Sequence, residues 1–172
     1  MPDRAPIEMA GSAPNCGETA QWVIFCMDKG HYALPLTTVD RFVRAVHVTP
    51  MPRAPGIVLG AIDVQGCVLP VFNIRRRFGL PERAIDPADH FLIAHTARRT
   101  VVLVIDAALG VFERPATAVT EAANIAPDVE HIRGVMQLDD GLVLIHDLEH
   151  FLSPDEARVL DEAMSQRISH AD

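Results

Sequence analysis

One hairpin is written twice in this chain, 74 residues apart. Residues 60–74 run Gly-Ala-Ile-Asp-Val-Gln-Gly-Cys-Val-Leu-Pro-Val-Phe-Asn-Ile, and residues 134–148 run Gly-Val-Met-Gln-Leu-Asp-Asp-Gly-Leu-Val-Leu-Ile-His-Asp-Leu. Gly60 matches Gly134, and Asn73-Ile74 matches Asp147-Leu148. Aligned on the turn glycines, the second copy carries an extra turn residue (Asp139 or Asp140) and lacks a counterpart to Pro70. Each copy reads as a strand, a tight polar turn (Gln65-Gly66 or Asp140-Gly141), a strongly apolar strand and an Asx-type stop. A whole hairpin repeated in this way predicts two similar small β units in one chain.

The chain has 172 residues, enough for one domain or two very small ones sharing a core. Apolar residues make up 49%, which supports a packed interior. No run reaches the roughly 18 apolar residues of a membrane helix, so no direct membrane insertion is expected. A net charge of −8 argues against general nucleic-acid binding. The basic clusters, Arg75-Arg76-Arg77 and Arg98-Arg99, read as solvated turn faces. Cys16, Cys26 and Cys67 have no CxxC spacing, and the last two read as small buried hydrophobes. With no secretory signal among the Pro-, Ala- and Gly-rich first residues, a cytoplasmic protein without disulfides is expected.

Residues 1–19 are expected to be a disordered tail, 20–152 the folded double unit, and 153–172 a C-terminal helix and its end. Trp22 to Met27 is an apolar strand that turns through Asp28-Lys29-Gly30 into His31 to Leu34. One short helical turn fits Pro35 to Val39. An extended run then reaches Thr49, and Pro50, Pro52 and Pro55 bar any helix from the next segment. After the first hairpin copy, Asn73 as N-cap and Gly79 as stop frame a short helix. Pro81 to Asp89 reads as a polar link, His90 to His95 as a strand, and Thr100 to Ile105 as a strand buried on both faces. Asp106 to Val111 loosens that strand, and Pro115 to Pro127 reads as an extended connection. Ser153-Pro154-Asp155-Glu156 combines an N-cap, proline at the first helical position and a capping box. From there Ala157, Leu160, Met164 and Ile168 make an apolar stripe to about Ile168. About ten short strands with helices confined to connections and the end predict an all-β fold of Greek-key or barrel character.

The sharpest catalytic signal is His146-Asp147-Leu148-Glu149-His150, an H-x-x-E-H pattern. On a helix, His146 and His150 would share a face and could ligate zinc, with Glu149 as general base of a hydrolase. The repeat, however, puts His146 in extended structure, and no third ligand stands out. No G-x-S-x-G, P-loop or G-x-G-x-x-G occurs, and no base accompanies Cys67. No enzyme, metal or cofactor is therefore expected. A small double-β module without a catalytic set works through its surfaces.

Tyr32-Ala33-Leu34-Pro35 with Val39, then Pro52-x-x-Pro55-x-x-x-x-Gly60-Ala61-Ile62-x-Val64-x-Gly66-x-Val68-Leu69-Pro70-Val71, carry a resemblance. So do Val102 to Asp106 and Leu142-Val143-Leu144-Ile145-x-Asp147-Leu148. Together they resemble the chemotaxis coupling protein CheW family over about Gln21 to Leu152. The resemblance implies two five-stranded SH3-like barrels with short connecting helices and a C-terminal amphipathic helix. It also implies a non-catalytic adaptor between the regulatory domain of a CheA-type histidine kinase and the cytoplasmic tips of methyl-accepting chemoreceptors. The partner-facing positions it assigns are Val39, Arg41, Gly60 and Gln65, with Gly66 shaping the turn. The family commonly has Arg at position 65, Glu at position 41 and Asp at position 73, where this chain has Gln65, Arg41 and Asn73. The swaps at 41 and 65 imply a paralogue with its own kinase or receptor, while Asn73 alters only a cap; the competing reading is a degenerate module that binds one partner only. A Gly60→Asp change is expected to weaken partner binding and leave the fold largely intact.

Overall fold

Alternation within the apolar runs sets the architecture. In the computed structural model, which describes residues 19–121, 132–139 and 141–170, β1 (Thr19–Met27) and β2 (Gly30–Pro35) form the first hairpin. Along β1, Val23, Phe25 and Met27 face one core while Trp22 and Ile24 face another, the period of two that a strand dictates. A 3₁₀ turn at Leu36–Thr38 leads into β3 (Val39–Arg44), then β4 (Val58–Val64) and β5 (Cys67–Phe72). Helix α1 (Ile74–Phe78) is capped by Asn73, whose side chain accepts from Arg76 N–H, and stops at left-handed Gly79. Next come β6 (His90–His95), β7 (Thr100–Ile105) and β8 (Ala107–Pro115). After a 3₁₀ turn, β9 (Val119–Glu121) precedes β10 (Ile132–Leu138) and β11 (Gly141–His146). A further 3₁₀ turn, Leu148–His150, and helix α2 (Pro154–His170) follow.

The strands form two sheets, ordered β3-β6-β7-β5-β4 and β8-β1-β2-β11-β10-β9. Each is rolled. The outermost strands of the larger sheet, β8 and β9, are joined by only three residues, so its edges must approach one another. In the smaller sheet the chain leaving β3 crosses to β4, where Thr49 and Ala61 exchange hydrogen bonds of 3.0 and 2.8 Å. Closure therefore comes from chain continuity and one bridge rather than a full ladder, and β9 makes the larger sheet six-stranded. The mostly-β, two-sheet expectation holds in this form.

The repeat is ungapped. Ile62 pairs with Leu69, and Met136 with Val143; Val64 pairs with Cys67, and Leu138 with Gly141. Every rung recurs 74 positions later, so Pro70 does have a counterpart, Leu144. Gly141 opens a strand as Cys67 does and is not the partner of Gly66. Gln65 and Gly66, both at positive φ (53° and 87°), make the tight turn that suits a two-residue hairpin; Asp140, in the equivalent turn, lies outside the described residues. The likeness extends to the other strands. The pair Ile24–Ala33 recurs as Ile93–Val102, so β6–β7 matches β1–β2. The matched hairpins are exchanged: β1–β2 joins the sheet of β10–β11, and β6–β7 that of β4–β5.

Three cores result. Ile62, Val71, Phe91 and Val102 fill the smaller sheet, and Trp22, Met136 and Ile145 the larger. Between the sheets lies the largest cluster, with Phe25, Phe72, Leu103 and Phe151 fully buried, each side chain worth roughly 1.5–3 kcal/mol of transfer free energy. Helix α2 seals it with Leu160 and Ala163, and opens on the expected capping box: Ser153 N–H donates to Glu156 Oε1 (2.9 Å), and Glu156 N–H to Ser153 Oγ (3.1 Å). The side chain of Ile168, the last of the expected stripe, lies outside what is described, as do residues 1–18; Thr19 already belongs to β1. No helix among the described residues is long and apolar enough to cross a membrane.

Three expectations fail in whole or in part. Arg75 is buried, bonded to Asp28 Oδ1 (2.8 Å) and Asp106 Oδ1 (2.6 Å). Arg77 makes two bonds to Glu156 and Arg99 pairs with Asp161, so these also tie α1 and the β6–β7 turn to their surroundings, while Arg76 and Arg98 are solvent-exposed as expected. Cys67 is exposed rather than buried. The segment read as loosening after Asp106 is a nine-residue strand, β8, paired along β1.

Candidate protein-binding surface

Bulges decide what the edge strands display. In β3 the register shifts between Val39 and Arg41, which leaves Asp40 as the extra residue. Without that shift Val39 and Phe42 would face opposite ways; with it both pack on the intersheet core. Val39 is thus half-buried and apolar, while Arg41 is exposed with Asp40 its nearest carboxylate at 4.0 Å. A second shift, between Val58 and Gly60 in β4, makes Leu59 the extra residue and leaves it exposed. The larger sheet repeats both devices, at Leu109 in β8 and Arg133 in β10. Asp40 thereby corresponds to Leu109, and Leu59 to Arg133. The two sheets share a backbone plan and differ in what protrudes from it.

Gly60 itself is buried at φ 155°, and a Cβ there would lie 2.2 Å from the carbonyl oxygen of Thr49. Gly134 repeats the contact, 2.7 Å from the oxygen of Thr120. Both glycines let a crossing strand come against the bulge, which is the physical reason the repeat begins with glycine. A Gly60→Asp change therefore acts on the fold first, and the surface at this point is Leu59. Gly66 is open, with nothing within 4 Å of a Cβ, and its N–H donates to Asp63 Oδ1 at 2.8 Å.

The register places Val39 beside Ala94 and Ala94 beside Val101, near the β6–β7 turn. Since β5 runs parallel to β7 with Val71 beside Val102, the Gln65-Gly66 turn points toward that same end. Val39 and Arg41 lie on one edge strand of the smaller sheet and the turn on the other, with the roll of the sheet bringing its edges round. Sequence reasoning missed the exposed apolar side chains away from this end, beyond the Arg44–His90 and Val58–Phe72 pairs and on the other sheet. Val46 and Leu59 line a groove of about 510 Å³ whose other walls include Ile85 and Arg83. Leu109 and Val111 stand exposed on β8, and their spacing of two with Glu113 was the strand signal available.

The H-x-x-E-H residues do not assemble. His146 ends β11, buried between the ring of Phe78, perpendicular to its own, and the stacked ring of Phe151 (4.9 and 5.2 Å between centroids). Glu149 accepts from the backbone N–H of Ala97 at 2.9 Å, and His150 Nδ1 lies 2.8 Å from Asp147 Oδ2. Among the described residues no three His, Cys, Asp or Glu side chains converge as a metal site would require.

The densest electrostatic feature lies between the sheets. Asp106 accepts from Asp28 N–H (2.7 Å), Arg75 and Arg83 (2.7 Å), and Arg83 also grips Asp89 with two 2.8 Å bonds. Arg83 holds the Asp89 carboxyl below its usual range against the opposing effect of burial. Burial raises Asp106, but the Asp28 N–H and the two arginines outweigh it and leave that carboxyl lowered as well.

Over residues 21–156 the sequence matches the family model described as a CheW-like domain. It is 31% identical over 113 residues to the probable chemotaxis protein CheW of Rhizobium etli, across 63% of this chain and 72% of that one. Protein FrzA of Myxococcus xanthus is 30% identical over 122 residues, 66% of this chain and 72% of its own. Among solved structures, the scaffolding protein TtCheW from Thermoanaerobacter tengcongensis matches with a TM-score of 0.74 at 21% identity, covering 81% of this chain and 96% of that chain. This last likeness shows the fold.

Proposed function

The chain belongs to the CheW-like domain family, and from that premise we propose that it is a non-catalytic cytoplasmic adaptor. It couples the regulatory domain of a CheA-type histidine kinase to the cytoplasmic tips of methyl-accepting chemoreceptors in a chemosensory pathway. The observation that carries this reading is the family match across residues 21–156, in a chain whose two rolled sheets agree with that of a scaffolding protein. The names of similar proteins, chemotaxis proteins CheW among them, point the same way. Val39, Arg41, Gln65 and Gly66 are the partner-facing positions, and Gly60 contributes by bending β4 so that Leu59 protrudes. Leu109 and Val111 add apolar surface on β8.

Arg41 and Gln65 favour a dedicated partner over a standard array. A surface arginine at position 41 invites a carboxylate, and Gln65 offers only neutral hydrogen bonds where arginine would bind a carboxylate two-pronged. A pull-down with the purified kinase regulatory domain and the chemoreceptor tip, separately and together, tests the reading. Capture of both supports the coupling role. Capture of one alone favours a single-partner module, and capture of neither removes the proposal.

A further inference from the structure

Neither half of this chain completes a sheet by itself. In residues 19–79 the hairpins β1–β2 and β4–β5 share no ladder, and in residues 90–170 neither do β6–β7 and β10–β11. The ladders that finish both sheets run between the halves: β1–β8, β2–β11, β3–β6 and β5–β7. The covalent link between the halves is residues 80–89. Local hairpins form within microseconds, whereas the crossing ladders join strands far apart in sequence and form later. Until they do, each half exposes strand edges that match a second copy of the chain as well as its own other half.

The link is held in one closed shape. Glu82 binds back to the first half, accepting from Asn73 Nδ2 at 2.8 Å and from Arg76. Arg83 spans the link: it grips both Asp89 oxygens at 2.8 Å and reaches into the second half at Asp106 Oδ1 (2.7 Å). Asp86 and Asp89 close a turn between them, Asp89 N–H donating to Asp86 O and Asp86 N–H to Asp89 Oδ2, both at 2.8 Å. We propose that residues 80–89 are a hinge at which two copies of this chain exchange halves, and that the Arg83 clamp keeps the single chain closed. Residues 19–79 of one copy then complete the sheets of residues 90–170 of the other. Every ladder survives the exchange, so a second copy competes only with the local concentration that the link supplies, on the order of 1 mM for a short linker. In the exchanged dimer β3 pairs with β6 of the other copy, so Val39 and Arg41 lie on a sheet built from two chains. The dimer carries two such surfaces and is bivalent, a property that goes beyond the adaptor reading and does not depend on it.

The test uses Gln21 and Glu113, which face each other across the β1–β8 ladder from opposite sides of the hinge and are both exposed. Opposed Cα atoms of an antiparallel pair lie about 4.5–5.5 Å apart, within reach of a disulfide. Full-length Gln21→Cys and Glu113→Cys chains, with Cys16, Cys26 and Cys67 replaced by alanine, are each checked for folding by circular dichroism. They are then mixed in urea, refolded together at about 1 mM and at about a hundredth of that, and oxidised. Each variant refolded alone is the control. The expected result is a disulfide-linked dimer in the mixture alone and at the higher concentration, its yield at least about threefold greater when both chains also carry Arg83→Met. Monomer throughout, or a dimer that does not cross-link because its copies meet through outer surfaces, would overturn the proposal. So would a yield that Arg83→Met leaves unchanged. If Arg83→Met does not fold, Asp86→Ala, which removes the bond from Ala88 N–H in the same link, replaces it with the same outcomes read.

Discussion

Arg77 and Phe151 occupy the same position of the repeated unit, and the guanidinium carbon of the first lies 5.3 Å from the ring centroid of the second. The two halves therefore meet each other at equivalent residues, with Arg77 also bonded to Glu156 and Phe151 stacked on Phe72 at 5.1 Å. The chain folds as two like units locked across a common core.

The glycines that open each hairpin copy should be far less tolerant than the turn glycine. Gly60→Ala drives a Cβ against Thr49 and is expected to cost on the order of 3 kcal/mol. Gly66→Ala meets nothing and should cost about 1 kcal/mol, from its left-handed backbone alone. Urea denaturation of both variants measures the difference; equal costs would deny the crossing-strand role of Gly60.

Helix α2 should depend on its first turn. Ser153→Ala removes one half of the capping box, with an expected loss of about 1 kcal/mol in chemical denaturation. A variant as stable as wild type would mean that the bonds between Ser153 and Glu156 contribute nothing net.

Acid should loosen the intersheet network. Asp89 and Asp106 both have lowered folded-state values, so folding favours their ionised forms. Their contribution is present above the unfolded-state value of roughly 3.9 and is lost as pH falls through the folded values. The melting temperature is thus expected to hold steady through this network down to about pH 5 and to fall below about pH 4. Asp89→Asn should be less stable at neutral pH and less sensitive to acid. An unchanged acid slope in that variant would remove Asp89 from the account.

Metal removal should be silent. Glu149 and His150 are committed to Ala97 and Asp147, so a chelator is expected to leave the melting temperature within about 1 °C, less than ~0.5 kcal/mol in a domain of this size. A drop of several degrees, restored by zinc, would revive the hydrolase reading.

What was legible in the sequence was local. The hairpin copies, the Asn73-to-Gly79 helix, the doubly buried β7 and the capping box at Ser153 each declare themselves within a few residues, and each is found. The misreadings have separate causes. Aligning Gly66 with Gly141 treated two glycines as one signal, although only the strand ladders tell the turn residue from the strand opener. β8 was missed because its bulge at Leu109 breaks the alternation that marks a strand. Arg75 looked solvated because Asp28 and Asp106, which bury it, lie 47 and 31 residues away. For the surface, the sequence pointed to Val39, Arg41 and Gln65 through family likeness. Leu59 and Leu109 emerged only once the bulges were located.

The most direct test is reconstitution of CheA-type kinase autophosphorylation with chemoreceptor in vesicles, with and without this chain. The expected result is kinase activity that responds to receptor only when the chain is added. Activity that is indifferent to its presence, with the cognate kinase and receptor both active, would contradict the adaptor account.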